Sequence, residues 1–503
     1  MADNKVQEPI FPYKEAADRL NDYAYYEKLF MGDHFTAFNV RIDSRDFNKA
    51  YAKMRYVKAN FAGLVSKIIA DMLFSEPVKI TVKDGDQDWV DGFVNDNKLD
   101  VLFYESALTN SFLGDQLFKL RIGPRIAGDE DKTIIMSNCP PSIYFPAINA
   151  FNIDEDPAIK ELAWTIEIPQ ADGKSKKYLR KEIHTPGKIF NEIYLMEGNK
   201  IMGKTTFEAA GMTGVLDVEE TKINRQLVFH SPNWKTSGRF WGISDYYDLD
   251  NLFYAINNRL SKIDNILDKH SDPLLLVPPG ILDDKGKVKK GNLGVIEIQN
   301  AEDGKPEYVV WDASLENAFN EVDKLIEMLM MTSETSPDAL GMGKGMSDSG
   351  RALKLKLLRT IAKTARKKLY YNNAIKEILY RAQMLGKAWG IKFGGQTLQG
   401  EPVVPEIIWS DGLPVDEVDQ IDTITKKIDA GVMSTVDAIV EIDGVDRDIA
   451  EEKAKEIQDE KRVNLPQPNF GNNPFLKSND LANENPQKVV EELKKRAGVT
   501  GGK

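Results

Sequence analysis

The sequence predicts an α+β fold, and three observations carry that prediction. Helical patterns near the N-terminus precede a run of short strand-like segments between residues 116 and 230. Two further helical patterns then bracket a small β-rich stretch. Finally, residues 351–388 form one long basic helical pattern, followed by shorter ones. Strands clustered apart from the helices, rather than alternating with them, read as α+β.

The elements follow in chain order. Residues 1–55 are polar and aromatic, with a helical look around Tyr13–Phe30. Between Lys58 and Phe74, Phe61, Leu64, Val65, Ile68, Ile69, Met72 and Leu73 recur at helical spacing, and Ser75-Glu76-Pro77 stops the pattern. Val101–Leu113 predicts a second helix, leading through Gly114-Asp115 into a strand over Gln116–Ile122. Thr133–Met136, Leu162–Ile168, Tyr178–His184, Glu192–Met196 and Gln226–His230 predict strands of an antiparallel meander, separated by turns such as Ala171-Asp172-Gly173 and Glu197-Gly198-Asn199.

The pattern then turns helical. Asp248–His270 carries Leu249, Phe253, Ile256, Leu260, Ile263 and Leu267 on one stripe. Short strands are predicted at Leu274–Val277, Gly294–Ile298 and Tyr308–Trp311, with a lysine-rich loop over Asp284–Asn292. Leu315–Met331 is helical again, with Phe319, Val322, Ile326 and Leu329 as its stripe. Thr332–Gly350 is rich in Gly, Ser, Met and Asp and reads as a mobile loop. Arg351–Ala388 predicts a single helix of roughly 57 Å at 1.5 Å per residue. A strand pair, Ile391–Phe393 with Glu406–Trp409, follows. Helices over Asp416–Ala430, Thr435–Glu441 and Asp448–Arg462 close the folded part, with Ser434 and Asp446 as caps of the last two. The Asn-, Pro- and Gly-rich tail from Asn464 is expected to be mostly disordered, with helical promise only at Pro486–Arg496.

At about 150 residues per domain, 503 residues correspond to roughly three domains. The formal net charge of −12 argues against tight adhesion to DNA or to an anionic membrane. Cys139 is the single cysteine, so no intrachain disulfide or cysteine-based metal cluster can form, which suits a reducing compartment. The chain opens Met-Ala-Asp-Asn-Lys without an apolar segment, so no secretory leader is expected. No run of about 18 apolar residues predicts a membrane span.

Tests for chemistry return little. His34, His184, His230 and His270 are scattered without metal-binding spacing and read as solvated or hydrogen-bonded histidines. Gly341-Met342-Gly343-Lys344-Gly345-Met346-Ser347 superficially resembles a phosphate loop. It lacks the Ser or Thr directly after Lys344 that would reach a phosphate-bound metal, and reads as a flexible loop. Among 78 carboxylates no acid–base pair stands out, and Cys139 before Pro140-Pro141 reads as a structural thiol. No catalytic residue, metal or cofactor is expected. The strongest local signal is charge: Arg351–Lys387 holds eleven Lys or Arg residues against Glu377 alone. Lys356, Arg359, Lys363, Arg366, Lys367 and Arg381 are expected on one face. Leu357, Leu358, Ile361, Leu369, Ile375 and Leu379 are expected on the buried one. The basic face suits phosphate or an acidic partner surface, or it is simply solvated.

The order of parts resembles the portal protein family of tailed bacteriophages. Local phrases fit the resemblance: Gly242-Ile243-Ser244-Asp245, then Asn257-Asn258-Arg259-Leu260-Ser261 at the entry to a first stem helix. Ser349-Gly350-Arg351-Ala352-Leu353 opens the long helix, and Gly431-Val432-Met433-Ser434 with Val445-Asp446 matches the C-terminal pattern. The resemblance covers about residues 50–462; the first fifty residues carry no matching phrase. It implies a portal-type ring subunit with an α/β wing (residues 1–240 with 389–411), a two-helix stem (241–271 and 313–331) and a small β-rich clip (272–312). It further implies a tunnel loop (332–350), a long helix (351–388), a helical crown (412–462) and a mostly disordered tail (463–503).

The resemblance also implies a function. About twelve copies would form a ring at one capsid vertex of the virion, assembled in the bacterial cytoplasm, through which double-stranded DNA is packaged and ejected. Partners would be terminase, the head–tail adaptor, and the major capsid and scaffolding proteins, with no membrane. The family carries no catalytic activity, ATP hydrolysis belonging to the terminase. An acidic subunit is compatible with a channel that must let DNA slide. Met342, Gly343, Lys344, Gly345, Met346 and Ser347 would line the DNA channel, although Asp338 and Asp348 leave the sign of the loop toward DNA open. Lys285, Lys287, Lys289 and Lys290 would dock a partner at the clip, or form a solvated hairpin tip. Two other readings are another phage head–tail or minor capsid protein, for which the chain is long, and a carboxylate-based hydrolase.

Overall fold

A computed structural model describes residues 9–41, 49, 51, 54–126, 131–170, 174–270, 274–277, 295–297, 307–309, 315–340, 350–410, 417–445 and 447–464. The N-terminal pattern becomes a 3-10 turn, Lys14–Ala16, running into α1 (Ala17–Phe30), with α2 (His34–Arg41) after it. Helix α3 (Phe61–Phe74) starts where Asn60 accepts a hydrogen bond from the Gly63 amide at 3.0 Å, satisfying one of the orphan N–H groups of the first turn. After β1 (Lys79–Thr81), α4 (Gln87–Asn97) and α5 (Leu99–Leu113) follow. Helix α4 does not stand out in the sequence because only Trp89, Val90 and Phe93 among its apolar residues point fully inward.

The predicted meander is two sheets. Strands β2 (Asp115–Gly123) and β3 (Thr133–Cys139) form a hairpin. Strands β4 (Tyr144–Pro146), β5 (Lys160–Pro169), β6 (Ser175–Thr185), β7 (Lys188–Glu197) and β8 (Lys200–Thr205) form an up-and-down sheet, with β9 (Val218–Glu220) beside β7. Strand β10 (Val228–Pro232) leaves that meander and pairs antiparallel with β2, Val228 opposite Lys119. Its hydrogen-bonding partner therefore lies about a hundred residues upstream, beyond what local turn chemistry reports.

Helix α6 (Asp250–His270) is followed by a small mixed sheet of β11 (Leu274–Val277), β12 (Val295–Glu297) and β13 (Glu307–Val309). Strand β11 lies between the other two, parallel to β12 and antiparallel to β13. Helix α7 (Leu315–Ser333) then returns and packs along α6, with Arg259 paired to Glu321 at 2.7 Å. The single long helix of the prediction is α8 (Gly350–Lys356) and α9 (Leu358–Trp389), with a one-residue break at Leu357 across which i→i+4 hydrogen bonds continue. The predicted strand pair does not pair with itself. Strands β14 (Lys392–Phe393) and β15 (Gln396–Thr397) form their own hairpin, and β16 (Glu406–Ile408) joins β1.

One core joins α3, α4, α5, β2, β3 and the second half of α9 around Trp89, Phe93, Phe103, Phe118 and Tyr371. A second, aromatic cluster joins α1, α2, α6 and the end of α7 around Tyr26, Phe38, Tyr246 and Phe253. A separate unit begins at Val415. It contains α10 (Glu417–Asp429), α11 (Thr435–Asp443) and α12 (Arg447–Asn464), each packed on the next. Ser434 caps α11 as expected, accepting from the Asp437 amide at 3.0 Å. Asp446 and the tail from residue 465 lie outside the described residues.

Candidate functional site at the long-helix junction

The Gly242–Asp245 phrase seats the chain on the C-terminus of α5 before α6 begins. A Cβ on Gly242 would lie 1.9 Å from the Gly114 carbonyl oxygen, so only glycine permits the approach. Gly114 itself ends α5 at φ +87°. The Gly242 amide donates to Asp115 at 2.8 Å, and Asp115 also accepts from Tyr23 at 2.5 Å and meets His230 Nε2 at 2.7 Å. Ser244 donates through Oγ to the Phe112 carbonyl at 2.7 Å, satisfying one of the last carbonyls of α5.

Asp245 then turns inward. Its carboxylate is buried and lies 3.2 Å from Lys363 Nζ and 2.7 Å from Lys367 Nζ, both on α9. Ser111 donates to it at 2.6 Å and Asn233 Nδ2 at 3.2 Å, while Lys367 also donates to Asn233 Oδ1. Burial alone would push the pKa of this carboxyl up, but the two ammonium groups more than offset that and hold it well below the ordinary carboxylate range. Burial, opposed by Asp245, lowers the Lys367 ammonium to about 8. Two lysines on one aspartate, each with one further hydrogen-bond acceptor, form a buried ionic clamp whose disruption leaves an uncompensated charge.

The clamp reaches the end of α7. Lys363 Nζ donates to the Ser333 carbonyl at 2.9 Å. The Ser336 amide donates to Thr360 Oγ1 at 2.8 Å, Ser336 Oγ donates to the Lys356 carbonyl at 2.6 Å, and Arg366 pairs with Glu334. Lys356 and Asp338 approach at 3.5 Å. Residues 333–338 are thus tied to residues 356–366, and both flanks of segment 341–349 are fixed to one place on the scaffold. The Asn257–Ser261 phrase acts similarly on the N-terminal region. Asn257 donates to His34 Nδ1 at 2.7 Å and accepts from the Ala59 amide at 2.9 Å, and Ser261 Oγ accepts from the Val57 amide at 2.9 Å.

This arrangement corrects the expected basic face. Lys363, Lys367 and Arg381 are buried in intramolecular pairs, Arg381 with Glu377 at 2.8 Å and with the Gln226 carbonyl at 2.7 Å. Lys356, Arg359 and Arg366 remain exposed. The expected apolar face is corrected too: Leu357, Ile375 and Leu379 are buried, but Leu358 and Leu369 are 58% and 69% exposed. The reason is phase. Thr360, Lys363, Thr364 and Lys367 continue the helical face of Tyr371, Ala374, Ile375 and Ile378, and it is that face which meets the body. Similarly, Phe319 and Leu267 of the predicted stripes are exposed, while Val322, Leu329, Phe253 and Ile256 are buried. Met342, Gly343, Lys344, Gly345, Met346 and Ser347, and Lys285, Lys287, Lys289 and Lys290, lie outside the described residues.

Arg381 borders an open cleft of about 940 Å³ that also holds Asp154, Asp156, Lys235 and Glu377. Its carboxylates serve cations: Asp156 pairs with Lys160 at 2.6 Å, Asp154 with Lys235 at 2.9 Å, and Glu377 with Arg381. His34 is buried and donates through Nε2 to the Leu29 carbonyl at 2.9 Å, and burial lowers its basicity. Burial likewise pushes the Cys139 thiol up, away from the reactive thiolate. Among the described residues no cluster of His, Cys, Asp or Glu has the arrangement of a metal site. No described helix is long and apolar enough to cross a membrane.

Residues 221–467 match the family model described as phage portal protein, SPP1 Gp6-like. The match runs from just before β10 through α6, the small sheet, α7, the long helix and α12. No curated protein matches the chain.

Proposed function

Because the chain belongs, through residues 221–467, to the phage portal protein family, we propose that it builds a ring of about twelve subunits at one capsid vertex, through which double-stranded DNA is packaged and ejected. The family is structural rather than enzymatic and implies a capsid-associated oligomeric assembly. The observation that carries the finer reading is the double anchoring of segment 341–349. It lies between a 3-10 turn, Pro337–Leu340, that follows α7 and the start of the long helix, with both flanks tied through Ser333, Ser336, Lys363 and Arg366. A loop held at both ends on a rigid base can present its middle repeatedly and in register in every copy of a ring.

In this reading α6 and α7 are the stem, and residues 272–312, which contain β11–β13, are the clip. The body with β14–β16 is the wing, and α10–α12 are the crown. Residues 332–350 are the tunnel loop, in which Lys344 touches phosphate as a point charge without bidentate geometry, so DNA slides. Lys285, Lys287, Lys289 and Lys290 help dock terminase and later the head–tail adaptor at the clip. Scaffolding and major capsid proteins surround the wing and crown.

Native mass spectrometry and electron microscopy of the purified protein test the ring directly. Closed rings of about twelve subunits with a central hole are expected; a strictly monomeric protein at micromolar concentration refutes the reading. Gly343→Val with Gly345→Val restricts positive-φ conformations in the loop. It is expected to leave rings intact and impair packaging, and full genomes at normal rates would reduce the loop to a connector.

A further inference from the structure

The first half of the long helix presents an uncovered apolar seam. Leu355, Leu358 and Leu369 are 67%, 58% and 69% exposed, and Ala362 and Ala365, also exposed, lie between them. The spacing is 3, 4, 3, 4, the period that keeps one line of residues facing a second helix over several turns. Its length is about 21 Å at 1.5 Å per residue. The seam is not spare core surface, because the opposite face of the same helix is held to the body by Asp245.

Charge says what covers it. Between residues 354 and 369 the exposed ionisable side chains include Lys354, Lys356, Arg359 and Arg366, and this stretch contains no acid, although Lys356 and Arg366 also meet Asp338 and Glu334 of their own chain. A partner apolar along its centre and acidic at its margins fits such a surface. The outer face of α7 has that character. Met328 and Met331 are 50% and 72% exposed, and exposed Glu316, Glu321, Asp323 and Glu327 outnumber Lys324 four to one, with Glu321 and Glu327 also pairing with Arg259 and Lys324 of their own chain.

We propose that the Leu355–Leu369 seam of one subunit packs on the acidic, methionine-bearing outer face of α7 from a second copy of this chain. The two surfaces differ, so the contact is head-to-tail, the kind that propagates around a ring rather than closing a two-fold dimer. The proposal rests on the ring reading and specifies which faces meet within it.

Disulfide trapping tests it. In a Cys139→Ser background, Leu358→Cys with Met328→Cys should give, on oxidation of assembled protein, a ladder of covalent multimers on non-reducing gels. Each single variant should stay monomeric there, with native mass spectrometry of the same samples reporting whether rings are present. Rings without a ladder, or with only an intrachain link, overturn the face pairing and leave the ring standing. Dimers from Leu358→Cys alone indicate a two-fold contact and also overturn it. Absence of rings in the parent protein fells both. As a second arm, Leu358→Asp should leave the subunit folded but weaken association by about tenfold or more; unchanged ring formation contradicts the proposal.

Discussion

The two halves of α9 are built on opposite principles. From Tyr371 to Leu385 the helix buries a mainly apolar face, with Ile375, Ile378, Leu379 and Ala382 against Phe103, Trp89 and their neighbours, and Arg381 and Gln383 as its buried polar members. Gly386 lets Trp89 lie flat on the helix, since a Cβ there would approach its ring to 2.2 Å. From Leu358 to Leu369 the same face carries Thr360, Lys363, Thr364 and Lys367, and the leucines point outward. The apolar half is fixed by burial, which is strong and tolerant of direction. The polar half is fixed by a few charge-assisted bonds, which specify one position and one rotation. A segment with an exposed seam on its outer side is held by geometry rather than by area.

Removing Trp89 sharpens this comparison most. Trp89→Ala empties the centre of the apolar half and should cost about 3–5 kcal/mol, measured by denaturant unfolding; a loss under about 1 kcal/mol would mean that this half is not burial-driven. Next, Asp245→Asn strands two buried ammonium groups and should cost about 3 kcal/mol. Replacing Asp245, Lys363 and Lys367 together with Met should recover most of that loss, because apolar side chains of similar volume carry no desolvation penalty. If the triple variant is no better than the single one, the clamp is not a closed charge system.

Acid separates the halves at a smaller scale. The Asp245 carboxyl binds its proton more weakly in the folded chain than in the unfolded one, so the unfolded state takes up more protons as pH falls. Its contribution is complete above the ordinary carboxylate value and should fall by about 1.4 kcal/mol per pH unit below about pH 4. Hydrogen exchange should show amides 358–369 losing protection before amides 371–389; simultaneous loss contradicts separate anchoring. Glu182 on β6 adds an acid-labile pair. Burial pushes the pKa of its carboxyl up, but His184, whose Nε2 lies 3.5 Å away, and the Lys119 ammonium paired with it bring it down to about 2. The smallest effect is expected at the surface. Arg366→Ala removes an exposed pair with Glu334 and should change subunit stability by no more than about 1 kcal/mol, so a larger change would make that pair part of the clamp.

Most elements, and their order, can be read from the local pattern of residues along the chain. Apolar spacing located α3, α6, α7 and the long helix within a few residues, because helical periodicity is a property of neighbours in the chain. Ser434 announced its cap for the same reason. The order of helix, small sheet, helix and long helix was enough to suggest the family that residues 221–467 match. Helix α4, with few inward apolar residues, did not stand out, and neither did the transfer of β10 to β2 or of β16 to β1.

Which face of the long helix is inside depends on contacts between parts of the chain far apart in sequence. Six basic residues looked like one exposed stripe, yet Lys363 and Lys367 are drawn inward by Asp245, more than a hundred residues away in the chain. One local signal was available: the Thr360, Lys363, Thr364, Lys367 positions are in phase with Tyr371, Ile375 and Ile378. Periodicity can fix that phase but not the sign of the environment, because a buried lysine and a solvated one differ only in whether a distant carboxylate reaches them. The partner that makes burial favourable is brought by the fold, and the leucines on the opposite side are left at the surface by the same rotation.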